Sequence, residues 1–353
     1  MPSAAKAVRH WNPTVGNYSK ICGIIADMKA EKIVRACAIA YALVAAPALH
    51  AKHLKVLMIG NSFSICVLKE MPKCAASAGE TLDLASLYIG GCPLDRHWSN
   101  VEKSSNPDFK PYLFTYNYAS VKDQKDAPVA ALGEHSNIPQ ALVADKWNVV
   151  TIQQASPKSP FFETYQPYAD QLIAKIRELA PQAEIVIQQT WSYSPYSERL
   201  GKWNMTPDTM FAALKDAYGR LAKQGGFRII PTGEAVQLYR KRLPVDYGKL
   251  LSPEEVKALK PPQKIDFHGD VVGSSSWGKG ASKDGTGDKA AKHRFDTIHL
   301  NAAGHYLQAC TWLAALFGTD VTKLSYAPDS IPADKAALMR TCAAEAVASL
   351  SKK

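Results

Sequence analysis

Three residues from two distant parts of the chain carry side chains that together could attack an acyl carbonyl: Ser62, Asp296 and His299. A serine hydroxyl is a weak nucleophile at neutral pH unless a base takes its proton, and an imidazole does so best when a carboxylate holds it. Ser62 follows the apolar run Val56-Leu57-Met58-Ile59 and the permissive Gly60. It is therefore expected at the carboxyl end of a buried strand, where ligands gather in open α/β sheets. On that stretch alone, a plain strand-to-helix turn with Ser62 as helix N-cap reads equally well. Asp296 and His299 stand three residues apart just ahead of an apolar helical segment. One turn can thus present both to a single point. Taken singly, Asp296 also reads as a helix-start residue and His299 as a packing histidine.

The elements that must position these groups follow from periodicity. Strands are predicted at 55–59, 82–89, 149–153, 184–188 and 227–230, and helices at 63–78, 138–145, 163–179 and 209–223. Their alternation predicts an α/β chain with a parallel sheet covered on both faces. Gly90-Gly91 ends the second strand with unscreened backbone N–H groups, and Gln153-Gln154 ends the third. Two insertions are expected. Residues 100–136 read as a hairpin with an aromatic strand from 112 and a turn at 122–126. Residues 242–295 hold a short helix at 253–259 and a stretch, 273–280, whose lack of apolar period predicts a loop. Closing helices are predicted at 301–317, with Asn301 as N-cap and Gly318 as stop, and at 333–350.

A chain of 353 residues, 46% hydrophobic, can bury a large core. Residues 28–51 combine a charged start (Lys29, Lys32, Arg35), an apolar run and the small-residue cluster Ala45-Ala46-Pro47-Ala48. This predicts a secretory signal peptide cut after Ala48 or Ala51, with residues 1–27 an upstream start or unstructured. A membrane span is the alternative, but the run falls short of the ~20 apolar residues needed and contains Pro47. An exported domain, periplasmic or extracellular, is thus expected over 52–353, without stable membrane insertion. Removing residues 1–51 lowers the net charge from +10 to +6, an excess of 36 Lys/Arg over 30 Asp/Glu. No basic run stands out, which argues against nucleic acid as a partner. Cys66, Cys74, Cys92, Cys310 and Cys342 remain; Cys310 and Cys342 could be bridged in an oxidising compartment. No CxxC or Cys/His cluster has zinc spacing, so neither a metal nor a cofactor is expected.

The stretch Gly60-Asn61-Ser62-Phe63-Ser64 resembles the first block of the SGNH, or GDSL-type, hydrolases, and Asp296-Thr297-Ile298-His299 matches their Asp-x-x-His block. Gly90-Gly91 resembles the glycine block. Residues 147–156 with their glutamine pair, and 91–98, resemble a poorly characterised bacterial branch of that superfamily. The resemblance spans 54–317 and implies a three-layer α/β/α sandwich with a flavodoxin-like parallel sheet. It implies Ser62 as nucleophile, His299 as general base and Asp296 as its orienter, with an oxyanion hole from the N–H groups of Ser62 and Gly91 and an asparagine side chain. The usual Gly-x-Asn-Asp block is absent here, so Gln153 or Gln154 is expected to supply the third donor. Gly-x-Ser-x-Ser also departs from the Gly-x-Ser-x-Gly elbow, which argues against a lipase-like α/β-hydrolase.

Asn61, His97, Trp98, Trp191 and Trp277 are candidate substrate contacts, the indole rings being suited to stacking on sugar faces or equally to packing loops. The expected activity is that of a secreted serine esterase acting on carbohydrate or another small ester, O-acetyl groups first. A pectin-type methylesterase is the enzymatic alternative. A catalytically impaired glycan-binding protein and an acyltransferase are the alternatives of other classes.

Overall fold

The computed structural model describes residues 52–117, 119–120, 125, 127–243, 250–278 and 293–350. The expected signal peptide at 28–51 and the residues before it lie outside the described residues, as does the turn at 122–126 apart from residue 125.

Five parallel strands form the centre: β1 (His53–Gly60), β2 (Thr81–Tyr88), then β6 (Val149–Ile152), β7 (Glu184–Gln188) and β8 (Arg228–Ile230), in the order β2-β1-β6-β7-β8. This is the flavodoxin-like order. Every residue of β6, and β1 from Val56 onward, is buried, as continuous apolar runs require when helices cover both faces. On the β2 edge, β3 (Tyr112–Tyr116) runs antiparallel and carries the short β4 (Ala119–Ser120) and β5 (His135–Ser136). The expected hairpin insertion is thus an extension of the main sheet.

One helical layer holds α2 (Met71–Ser77), α8 (Thr232–Arg242), α10 (Ala302–Phe317) and α11 (Ala333–Leu350); the other holds α3 (Leu94–Lys103), α4 (Ile138–Val143) and α5 (Tyr168–Leu179). Helix α7 (Pro207–Gly225) meets α5's approach through an edge-on contact of Tyr218 with Tyr165. The chain is therefore a three-layer α/β/α sandwich. The structure also has the short α1 (Ser62–Ile65), α6 (Glu198–Lys202) and α9 (Pro253–Ala258).

Several expectations are corrected. The single helix predicted over 63–78 is two, α1 and α2, with a turn between them. Helices α3 and α8 were not expected. Each buries polar side chains on its inner face, His97 and Asn100 in one and Thr232 and Gln237 in the other, which erases the apolar stripe that periodicity relies on. The stretch from 273, expected to be loop, begins inside a strand, β9 (Val272–Trp277), paired antiparallel with β10 (His293–Leu300). Its serines alternate between half-buried and exposed, so it lacks the apolar signature of a core strand. Cys310 and Cys342 are both buried free thiols rather than a bridged pair.

Candidate active site

Strand β1 ends at Gly60, where the chain turns so tightly that a Cβ would lie 2.3 Å from Ser64 Oγ. Only glycine fits that approach. The helix cap here is Asn61, not Ser62: its Oδ1 accepts the Phe63 N–H at 3.0 Å, and Ser62 opens α1. Asn61 Nδ2 donates to Cys92 O at 3.1 Å, tying the serine turn to the glycine turn after β2. Gly91 sits there with φ +60, exposed to solvent.

Asp296 and His299 lie at the end of β10, not in a helical turn. An irregularity in pairing between Asp296 and Leu300 frees the strand to curl. Asp296 Oδ1 accepts the N–H groups of Ile298 and His299, each at 2.9 Å, and Oδ2 accepts from His299 Nδ1 at 2.7 Å. His299 Nε2 in turn meets Ser62 Oγ at 2.8 Å. With Nδ1 protonated towards the carboxylate, Nε2 is the acceptor for the serine hydroxyl proton. Burial works against ionisation of Asp296, but the bonds from the His299 ring and the two backbone amides outweigh it and hold the carboxyl down at about 2. Cys66 donates its thiol to Ser62 O at 3.1 Å, and burial together with the Asp296 charge pushes that thiol up to about 12.

The two glutamines differ. Gln154 is fully buried. Its Nε2 donates to Thr164 O at 2.9 Å, and its Oε1 accepts from the N–H groups of Leu94 and Ala155. It is a loop fastener and not an oxyanion donor. Gln153 donates Nε2 to Asn61 Oδ1 at 2.8 Å, beside the serine turn, so its first contact is also structural.

The candidate substrate contacts are mostly taken inside. His97 is fully buried, with Nδ1 at 2.9 Å from Tyr112 OH; burial, helped by the Arg96 cation, drives its pKa down to about 3. Trp191 is also fully buried, and Asn61 is 1% exposed with its side chain occupied as above. Neither His97 nor Trp191 can touch a substrate. Trp98 and Trp277 keep partial exposure, but their indoles are tied to Glu102 and to Gln263 O.

Residues that sequence reasoning missed hold the histidine loop. Arg240 and Asp270 form a buried pair with two bonds, at 3.0 and 2.9 Å. Arg240 also donates to Ser192 Oγ at 2.7 Å, and two residues on, Ser194 N–H bonds Thr297 O at 3.0 Å. Asp270 O accepts from Asn301 Nδ2 at 2.7 Å. An arginine in the last turn of α8 gives no hint in sequence of a partner 30 residues on in an irregular stretch.

Beside the relay lies a cleft of about 410 Å³ lined by Tyr196, Arg199, Lys202, Phe295, Asp296 and His299, among others. It has aromatic and cationic walls with the imidazole at its edge. The arrangement is that of a hydroxyl, a base and an orienting carboxylate at the open end of a parallel sheet, competent for acyl transfer.

The family model described as Domain of unknown function (DUF4886) matches residues 55–246 and 279–346. The chain is similar to the crystal structure of a DUF4886 family protein from Bacteroides uniformis, at 25% identity and a TM-score of 0.62, over 84% of this chain and 95% of that one. A protein from Slackia heliotrinireducens described as "a putative SGNH hydrolase" is similar at 17% identity and a TM-score of 0.39, over 75% and 100%. "A putative GDSL-like lipase" from Parabacteroides merdae is similar at 12% and 0.42, over 76% and 98%. No curated protein matches the chain.

Proposed function

The chain belongs to the DUF4886 family, whose description names no activity, and from its own site we propose a serine ester hydrolase that removes O-acetyl groups from carbohydrate. The observation that carries this reading is the unbroken relay from Ser62 Oγ through His299 to Asp296, at 2.8 and 2.7 Å. Ser62 Oγ attacks the ester carbonyl as His299 Nε2 takes its proton, and the same imidazolium then protonates the departing sugar oxygen. Water, deprotonated by His299, resolves the acyl-enzyme and frees Ser62. Asp296 keeps the ring in the productive tautomer. The oxyanion is received by the N–H of Ser62, the first residue of α1, and by that of Gly91. Gln153 is the glutamine at hand for a third donor, since Gln154 is spent elsewhere.

The cleft supports a polar, ring-shaped substrate: Tyr196 and Phe295 offer faces and Arg199 and Lys202 offer donors. Export is part of the reading and rests on residues 28–51. No helix among the described residues is long and apolar enough to cross a membrane.

A fluorophosphonate probe should label the protein at Ser62 and leave Ser62→Ala unlabelled. Release assays over acetylated and methylated glycans should yield acetate; methanol would indicate a pectin-type methylesterase. The engagement of both glutamine amides favours one second reading, a catalytically impaired glycan-binding protein. Failure to label, with measurable glycan binding, would establish that instead. Transfer of the acyl group to an added sugar would mark an acyltransferase.

A further inference from the structure

The carbonyl of Phe63, the residue after the proposed nucleophile, is held from two distant parts of the chain. Gln188 Nε2, at the last residue of β7, donates to it at 2.9 Å, and Gln308 Nε2, from α10, donates at 3.0 Å. Both side chains are wholly buried. The carbonyl cannot donate, so each amide must present its nitrogen, and the orientation of both is fixed.

The local backbone explains why such help is needed. A continuing helix would turn the Val67 N–H to Phe63 O, but α1 stops at Ile65 and Val67 N–H bonds Ser64 O at 3.3 Å instead. The Phe63 carbonyl is thereby left without a helical donor in the protein interior. The glutamines supply two, one for each lone pair.

This arrangement is poor if stability alone is at issue. The Oε1 atoms of Gln188 and Gln308 are both buried without a hydrogen-bond partner. Buried polar groups left half-satisfied are unfavourable, and a single donor would have sufficed to pair the carbonyl. Two such amides on one atom are accounted for by a demand on position. Fixing the Phe63–Ser64 peptide plane anchors the short helix α1 that Ser62 opens, and through it the direction in which the Ser62 Oγ and N–H point, the first to His299 and the second to the oxyanion.

We infer that Gln188 and Gln308 form a two-amide clamp on the Phe63 carbonyl and are positioning residues for Ser62. The inference rests on the serine hydrolase reading. The glutamines touch the turn and not the cleft, so they act on kcat and leave KM unaltered.

The test uses the full chain with 4-nitrophenyl acetate. Gln188→Leu and Gln308→Leu should each lower kcat about tenfold with KM within about twofold, since small displacements of a reacting group are costly in rate. The double variant should lose more than the product of the singles, because each amide partly covers for the other. Gln308→Glu carries a pH signature that packing alone would not. Its protonated acid can still donate to Phe63 O whereas its carboxylate cannot, so its kcat relative to wild type should rise as pH is lowered. Folded leucine variants with undiminished kcat, or a loss carried by KM, would overturn the clamp. If the leucine variants do not fold, a pH-independent ratio for Gln308→Glu overturns it. A wild type that hydrolyses no ester would defeat the hydrolase reading itself and the clamp with it, a result distinct from either of the others.

Discussion

The indole of Trp191 lies nearly flat on the ring of Phe63, with 4.3 Å between centroids and 13° between planes. Its Nε1 donates to Ile298 O at 2.9 Å, one residue before His299. One buried side chain therefore touches both halves of the relay, the turn that carries Ser62 and the loop that carries His299. Of the two readings its position allows, stacking on a sugar or packing loops, Trp191 takes the second and is the internal spacer between them.

Replacing Trp191 separates its two contacts. Trp191→Phe keeps an aromatic face but removes the donor from the partly buried Ile298 carbonyl, which should cost about 0.5–1.5 kcal/mol and lower kcat several-fold. Trp191→Ala opens a cavity under both loops and should cost about 3–5 kcal/mol. Denaturant unfolding, with kcat measured on the same preparations, checks both values.

Asp296→Asn should reduce kcat by roughly 10⁴-fold while the protein stays folded, because an amide cannot hold the imidazole tautomer with its proton on Nδ1. The wild-type pH profile has a defined sign. The Asp296 carboxyl is held down at about 2, so the stability it contributes is present above its unfolded value near 3.9 and is lost only as pH falls through about 2. A loss of rate through protonation of Asp296 is therefore expected only below about pH 4, which the kcat profile of the wild type checks.

His97 makes the opposite prediction, on stability. Its pKa is driven to about 3 by burial, against about 6.5 unfolded. The unfolded chain thus binds a proton that the folded one refuses, and stability drains away as pH falls from about 6.5 towards 3, by at most about 1.4 kcal/mol per pH unit. His97→Gln should flatten that slope in unfolding titrations and leave KM at neutral pH unchanged. A raised KM would return His97 to the substrate site.

Arg240→Met should destabilise the protein by about 3–5 kcal/mol, since it strands the fully buried Asp270 carboxylate. Adding Asp270→Leu should recover part of the loss, because the uncompensated charge goes with it. Thermal and denaturant unfolding of the two variants and wild type gives the comparison. Loosening of the Ser192–Ser194 segment should also lower kcat in the single variant.

Sequence by itself determined the features that depend on short-range physics. The run Val56–Ile59 ending in Gly60 could be little but a buried strand with a sharp exit, and Asn301 with Gly318 bounded α10 as a cap and a stop must. Alternation of such segments was enough for the parallel α/β sandwich, and residue type and spacing were enough to single out Ser62, Asp296 and His299. Only the tertiary structure decided what lies inside. His97 and Trp191 look like surface contacts in sequence and are buried, and Gln154 looks like a free amide and is fully bonded. The pairing of β9 with β10 and the convergence of Gln188 and Gln308 on one carbonyl join residues far apart in the chain. The reason is that a polar side chain's partner is set by long-range packing, and no periodicity in the residues around it records where that partner will be.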